Sequence, residues 1–287
     1  MANLQAIRNR IRSVQSTQKI TRAMKMVAAA RLRRSQEAVS QSRVYQEKVR
    51  ELLSKLLASA GTDIDPLLES KEGKKRWIVV FSSDRGLCGA FNSSLFRKAE
   101  HMLRDETYET SLIVIGKKAS AYFKQRKHKV ETIVDSYWTD FSHQKSLELC
   151  QKLTQAFLED QVSCIELLYN EFHSVMTQKP KNVTLLPLQQ PKQEGEEQLQ
   201  STADYLFEPG KTQIIKILLP KAIEGSFYQA SLHSLASEYG ARMTAMDAAT
   251  RNAGEMIDSL TLHMNRVRQA AITNELVEII SGAEAIQ

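Results

Sequence analysis

Apolar residues open the chain at Leu4, Ile7, Ile11 and Val14, spaced by three and four, which predicts an amphipathic helix. The stripe then drifts. Ile20, Met24 and Val27 fall on another side, and a seam returns at Tyr45, Val49, Leu52 and Leu56. A strict heptad would hold one side throughout, so this helix is expected to meet different neighbours along its length. Neither glycine nor proline, the strongest helix breakers, occurs before Gly61. The pattern predicts one helix over residues 1–60, about 85 Å long at a rise of 1.5 Å per residue.

The period changes after a linker from Ser59 to Arg76 that holds Gly61, Pro66 and Gly73. Short apolar runs at Trp77–Ser82, Ser111–Ile115, Val130–Val134, Ser163–Tyr169 and Val183–Leu188 have strand character. Phe91–Arg104, Lys117–Arg126 and Gln144–Leu158 between them look helical. This alternation predicts an α/β domain over residues 77–205 with a parallel sheet and helices on its faces. A polar stretch, Pro191 to Thr202, leads out of it.

A last helix is expected over residues 211–287. Its apolar stripe runs through Leu232, Leu235, Tyr239, Met243, Met246, Ala249, Ala253, Met256, Leu260, Met264, Val267 and Ala271. Pro220 is a candidate kink in its first turns. Gly225, Gly240 and Gly254 each weaken a helix by about 1 kcal/mol, so neighbours must hold it. Two helices of roughly 85 and 105 Å exceed a domain whose radius of gyration is about 19 Å. The packing expected of them is a long antiparallel coiled coil of the N- and C-terminal helices.

Charge sharpens this picture. Residues 1–60 hold thirteen Lys or Arg against three acids, and no acid precedes Glu37. Residues 211–287 hold seven Lys or Arg against eight acids, so the excess of +6 belongs to the first helix. Arg8, Arg12, Lys19, Arg22 and Arg33 share a sector of about 80° at 100° per residue, with Arg31 and Arg34 outside it. Such a strip suits an acidic partner, protein or nucleic acid. The apolar residues interleaved with it favour protein. The Arg-rich, acid-poor start also resembles a mitochondrial transit peptide, but the helical pattern runs on unbroken to Ala60.

Candidate chemistry is sparse. Ser82-Ser83-Asp84-Arg85-Gly86-Leu87-Cys88-Gly89 follows a strand and precedes a helix, where α/β proteins often bind phosphate. It lacks G-x-G-x-x-G spacing and the Walker lysine, so a tight structural turn is the better expectation. Cys88, Cys150 and Cys164 form no C-x-x-C pair, and no two of the six histidines lie three or four apart. No stretch approaches eighteen apolar residues. We expect no catalytic residue, no cofactor and no metal.

The two ends are the most specific part. Ile7–Arg34 (IRNRIRSVQSTQKITRAMKMVAAARLRR), Asp84–Gly89, Leu235–Ala249 (LASEYGARMTAMDAA) and Ile272–Ala285 (ITNELVEIISGAEA) closely resemble the gamma chain family of the F-type ATP synthase. The resemblance covers the chain in order and is weakest from Glu106 to Thr202. It implies an antiparallel coiled coil with a central Rossmann-like α/β domain at its foot. It also implies a role as central rotor shaft inside a ring of three alpha and three beta subunits, with the epsilon subunit and the c-subunit ring at the foot. Catalysis would lie in the ring.

The same resemblance implies roles for individual residues. Arg242, Gln269, Thr273 and Glu275 match positions that contact beta-subunit loops. Met24, with Arg22 and Lys25, matches the place where an acidic beta loop pushes on the shaft. Tyr205, Phe207 and Glu208 match the foot near the c ring. The regulatory insertion and cysteine pair of chloroplast members are not recognisable here. The start of the chain favours a bacterial protein, peripheral on the cytoplasmic side of the inner membrane. The rival class is a basic coiled coil that binds nucleic acid with strong salt dependence.

Overall fold

The computed structural model describes residues 2–60, 65–189, 208 and 210–284. In β1 (Lys75–Phe81), alternate side chains point to opposite faces, and its run of apolar residues serves both. Ile78 and Val80 join one core with Leu95, Phe96 and Ala99 of α2 (Phe91–Leu103) and Ala119 and Phe123 of α3 (Lys117–Gln125). Val79 and Phe81 join a second core. There they meet Val49, Leu53, Leu56 and Leu57 of α1 (Ala2–Ala60), Phe157 of α4 (His143–Leu158), and Ile215, Leu219 and Phe227 of α5 (Lys211–Glu284). β2 (Glu109–Ile115) repeats the division, with Leu112 and Val114 in the first core and Ile113 and Ile115 in the second. β4 (Cys164–Phe172) does the same with Leu168 against Ile165 and Leu167.

The strand order is β3-β2-β1-β4-β5, with β3 at Val130–Val134 and β5 at Gln178–Leu186. β1 runs parallel to β2 and β4, and β2 parallel to β3. β5 runs antiparallel to β4, so the sheet is mixed where an all-parallel one is expected from the alternation of elements. The reason is the length of the connection. Residues 173–177 are too few for a parallel crossover, which needs a dozen or more, and the Thr177 amide donates to Ser174 O at 3.2 Å to close a hairpin. β5 carries Pro180 and two lysines, Lys179 and Lys181, residues that suit an edge strand.

The chain divides into two compact units. One comprises Met1–Ala29 with Arg242–Gln287, here the helical unit; the other is Ala30–Ala241, the sheet unit. In the helical unit the two helices pair antiparallel. Gln18 Nε2 donates to Thr250 O at 3.4 Å, the Thr21 and Thr250 hydroxyls lie 2.8 Å apart, and Lys25 Nζ reaches Asp247 Oδ1 at 2.5 Å. In the sheet unit α1 and α5 are also antiparallel: Arg31 Nη1 donates to Tyr239 Oη at 3.4 Å and Arg50 Nη2 to Ser226 Oγ at 3.1 Å. Gly225 makes room for the buried Gln46 side chain: a Cβ on it would stand 1.4 Å from Gln46 Nε2, so Gln46 would have to move.

Two details differ from the stripes read in the sequence. Tyr45 and Leu52 are exposed, and the buried seam of that stretch is Gln46, Val49, Leu53, Leu56 and Leu57. Two stripes at steps of three and four overlap here, and the sheet selects the one that continues into its own core. Met256 is 46% exposed although it sits in the C-terminal stripe. α5 continues as one helix through Pro220, whose neighbours Leu219 and Ala222 are buried and hold that turn in place.

Candidate functional site

Three places were worth testing for function: the turn after β1, the cysteines and histidines, and the exposed faces of the helical unit. Side chains of the turn are tied to one another. The Ser83 amide donates to Asn92 Oδ1 at 3.1 Å, while Asn92 Nδ2 donates to Ser83 Oγ at 2.7 Å and to Cys88 Sγ at 3.3 Å. The first amides of α3 are also taken. Lys117 N donates to Asp84 Oδ1 at 3.1 Å, Lys118 N to Ser83 O at 3.1 Å, Ala119 N to Ser82 Oγ at 3.0 Å, and Ser120 N to Gly116 O at 3.3 Å. These are the donors that a phosphate would need at the N-terminus of α3, across the crevice from the turn.

The crevice itself is filled as well. In this strand order the reversal lies between β1 and β4, where open α/β sheets bind ligands beyond the strand ends. Here α5 occupies that place. Ala241 packs with Cys88 and Phe91, and Ser237 Oγ donates to Asn170 O at 2.8 Å. Gly116, at φ 97°, permits the close approach, since a Cβ on it would lie 2.3 Å from Ser82 O. The turn is a structural joint between β1, α2 and α3.

The cysteines are protected thiols. Burial pushes Cys150 up to about 12 and Cys164 up to about 11, so neither forms a nucleophilic thiolate near neutral pH. Burial also holds His233 below its usual value, and its Nδ1 accepts the Phe172 amide at 3.3 Å, which requires the neutral ring. Among the described residues no group of three His, Cys, Asp or Glu could hold a metal ion. No helix there is long and apolar enough to cross a membrane.

The helical unit presents a different surface. Arg22 is exposed, as are Arg8, Arg12 and Lys19 on the same strip, while Met24 is half-buried. Lys25 is engaged within the unit, paired with Asp247, whose carboxyl also receives Arg251 at 3.6 Å. The hydrogen bond from Lys25 and the charges of Lys25 and Arg251 hold Asp247 below the usual carboxylate range. Asp247 is a partner for Lys25 that the sequence did not reveal. Its only local signal was the i,i+4 spacing to Arg251; its main partner lies 222 positions away.

Farther along α5, Gln269, Thr273 and Glu275 are all exposed, and Arg242 is buried at 9%. Beside them Ile272, Leu276, Val277, Ile279 and Ile280 are exposed too, Ile279 at 68%. These residues form a row that none of the described residues covers. The structure thus brings Lys25 against the α5 segment, and leaves Arg22, Gln269, Thr273 and Glu275 facing outward. Glu208 is exposed, and Tyr205 and Phe207 lie outside the described residues.

Comparison with known proteins fits this arrangement. The sequence profile of the family described as ATP synthase matches residues 3–286. The ATP synthase gamma chain of Moorella thermoacetica is 44% identical over 291 residues, covering all of both chains. That of Geotalea uraniireducens is 44% identical over 290 residues, again covering both completely. In solved structures, a chain of the Euglena gracilis mitochondrial ATP synthase rotor superposes with a TM-score of 0.66 at 18% identity, covering 94% of this chain and 99% of that one. A chain from the OSCP/F1/c-ring assembly of the same enzyme gives 0.72 at 20% identity, covering 99% and 95%. The structural likenesses establish the fold; the full-length identity establishes the family. This chain belongs to the ATP synthase gamma chain family.

Proposed function

We propose that this chain is the central rotor shaft of an F-type ATP synthase. It couples ion flow through a membrane ring of c subunits to conformational change, and so to ATP synthesis or hydrolysis, in a ring of three alpha and three beta subunits. The epsilon subunit joins it at the foot. The chain is a non-catalytic subunit of a complex whose reaction is ATP synthesis coupled to proton transport. It is peripheral to the membrane, on the cytoplasmic side of a bacterial inner membrane.

One observation carries the reading beyond family membership: the row of exposed aliphatic residues from Ile272 to Ile280 on α5. Contiguous apolar surface of this kind marks a partner interface, and a surrounding protein ring would cover it. An asymmetric post inside a three-fold ring presents a different face to each beta subunit. Driving one subunit from 1:99 to 99:1 between two states needs about 5.5 kcal/mol of differential contact, which a helix pair can spread over many side chains.

In this reading Arg242, Gln269, Thr273 and Glu275 meet beta-subunit loops. Arg22, Met24 and Lys25 meet an acidic beta loop. Because Lys25 is shared with Asp247, the strip of Arg8, Arg12, Lys19 and Arg22 supplies most of the free positive charge. Tyr205, Phe207 and Glu208 belong to the c-ring foot. The nucleic-acid alternative finds no support among the related proteins.

The test is a reversible lock. A complex carrying Gln269→Cys and a cysteine in the facing beta loop should lose multi-site ATP turnover on oxidation and regain it on reduction. Full turnover in complexes with confirmed cross-links would remove rotation of this chain from the mechanism.

A further inference from the structure

α5 crosses the end of the sheet with a serine at every third position. Ser231, Ser234 and Ser237 are all buried, yet each hydroxyl has a partner. Ser231 Oγ donates to Phe227 O at 3.0 Å and lies 2.9 Å from Tyr137 Oη, in the segment that follows β3. Ser234 Oγ donates to Phe81 O, the last residue of β1, at 3.3 Å. Ser237 Oγ donates to Asn170 O near the end of β4 at 2.8 Å. β1 and β4 are neighbours in the sheet.

The spacing is matched. Three residues of helix rise about 4.5 Å, and neighbouring strands lie about 4.8 Å apart. Ser234 and Ser237 therefore meet the adjacent strands β1 and β4, while Ser231 one turn earlier meets the Tyr137 phenol. A helix held only by apolar contact can slide or turn at modest cost, because dispersion contacts have no direction. Three hydroxyls that must each reach one backbone or phenol oxygen have a single register and a single rotation angle. Asn170 extends the constraint, since its Nδ2 donates to Phe91 O at 3.0 Å and ties β4 to the start of α2.

We propose that Ser234 and Ser237, assisted by Ser231, are positioning residues that key α5 to the sheet, so that twist applied to the sheet is delivered to the helix without slip. This rests on the rotor reading and adds to it the place within the sheet unit where torque enters α5. None of these serines touches a partner subunit or a nucleotide in this scheme.

The experiment uses assembled complexes in membrane vesicles and reads ATP-driven acidification against ATP hydrolysis on the same preparation. Each lost hydroxyl raises the population of slipped arrangements by roughly two- to tenfold. In the Ser234→Ala, Ser237→Ala double variant the pumping-to-hydrolysis ratio should therefore fall below that of the parent, and by more than in either single variant. The Ser234→Cys, Ser237→Cys pair keeps a weak donor of similar size and should lie between. Ile78→Val, a mild change in the other core, controls for general loosening and should leave the ratio unchanged. A parental ratio in the alanine double variant, or an equal fall in Ile78→Val, overturns the proposal. If the alanine variant does not assemble, the cysteine pair is judged by the same two criteria. A parent complex whose pumping does not depend on this chain would instead defeat the rotor reading.

Discussion

The two units solve the problem of burial in opposite ways. The sheet unit buries two cores around β1, and the side chains of Ile78, Val79, Val80 and Phe81 are wholly enclosed. The helical unit buries a thin seam, Ile7, Ile11, Thr21, Ala28, Met246 and Ala253, while Ile20, Met26, Val27, Leu262 and the row from Ile272 to Ile280 stay exposed. Their charges differ in the same sense. Within the sheet unit α1 carries intrahelical pairs, Arg33 with Glu37, Arg43 with Glu47 and Lys55 with Glu51. Its first 29 residues contain no acid that could form one. The sheet unit also exposes apolar side chains, among them Val44, Leu87, Met176 and Ile217, but around two deep cores. The helical unit has only its seam and an acid-free stretch of α1, a surface suited to partners that supply apolar cover and negative charge.

The contrast makes mutational effects separable. The largest loss of stability should come from Phe227→Ala. Phe227 is fully buried and its ring stands 5.4 Å from that of Phe81. Removing such a side chain costs about 3–5 kcal/mol, and urea unfolding of the sheet unit's signal should show it. A shift below 1 kcal/mol would mean that this core relaxes far more than its packing implies.

Next comes the row on α5. Leu276→Ser with Ile280→Ser should leave the far-ultraviolet spectrum of the chain nearly unchanged, because both side chains are more than half exposed. Recovery of complexes with alpha and beta subunits should drop severalfold, since each buried aliphatic side chain contributes about 1.5–3 kcal/mol at an interface. Normal assembly with the parental rate would show that the row faces solvent in the complex.

The charge strip should give a smaller effect. Exposed ion pairs are worth only about 0–1 kcal/mol each, so Lys19→Glu with Arg22→Glu should lower the pumping-to-hydrolysis ratio more than it lowers assembly. Added salt should shrink the difference, since screening acts over about 8 Å at physiological ionic strength. An unchanged ratio would reduce the strip to a solvated face.

The smallest effect concerns Asp247. Its carboxyl is depressed in the folded chain, so its contribution is present above its ordinary value of 3.8 and is lost as pH falls through the lower folded value. Asp247→Asn should flatten the acid limb of the helical unit's unfolding, with slightly lower stability than the parent at neutral pH and the same stability in strong acid, where the parent carboxyl is protonated too. Identical acid limbs in the two proteins would show that the pairing with Lys25 adds nothing to folding.

Much of the architecture is local information. The absence of breakers before Gly61 leads to α1, and the start of α5 at Lys211 follows Pro209 and Gly210. All five strands and three short helices arise where the apolar period changes, because periods of 2.0 and 3.6 are properties of the backbone itself. Candidate chemistry at Ser82–Gly89 was visible as a turn, and its weakness as a phosphate site was visible in the missing lysine. Contact residues such as Gln269 and Thr273 were legible through the family motif alone, since an exposed polar residue on a helix has no physical signature of its own.

What the tertiary structure decided is whatever depends on partners distant in sequence. The stretch from Tyr45 to Leu57 contains two overlapping stripes, and only contact with the sheet makes Leu53 and Leu57 core while Tyr45 and Leu52 stay outside. The direction of β5 depended on a five-residue connection, not on its composition. Lys25 looked like a free cation until Asp247 came to it from the other end of the chain. The crevice beyond β1 and β4 is closed by α5, which enters it with Ser234, Ser237 and Ala241, residues with no local signal for that contact. Periodicity specifies which side of an element is apolar, but the partner it meets, and therefore which charge is neutralised and which cleft is closed, is set when distant segments pack together.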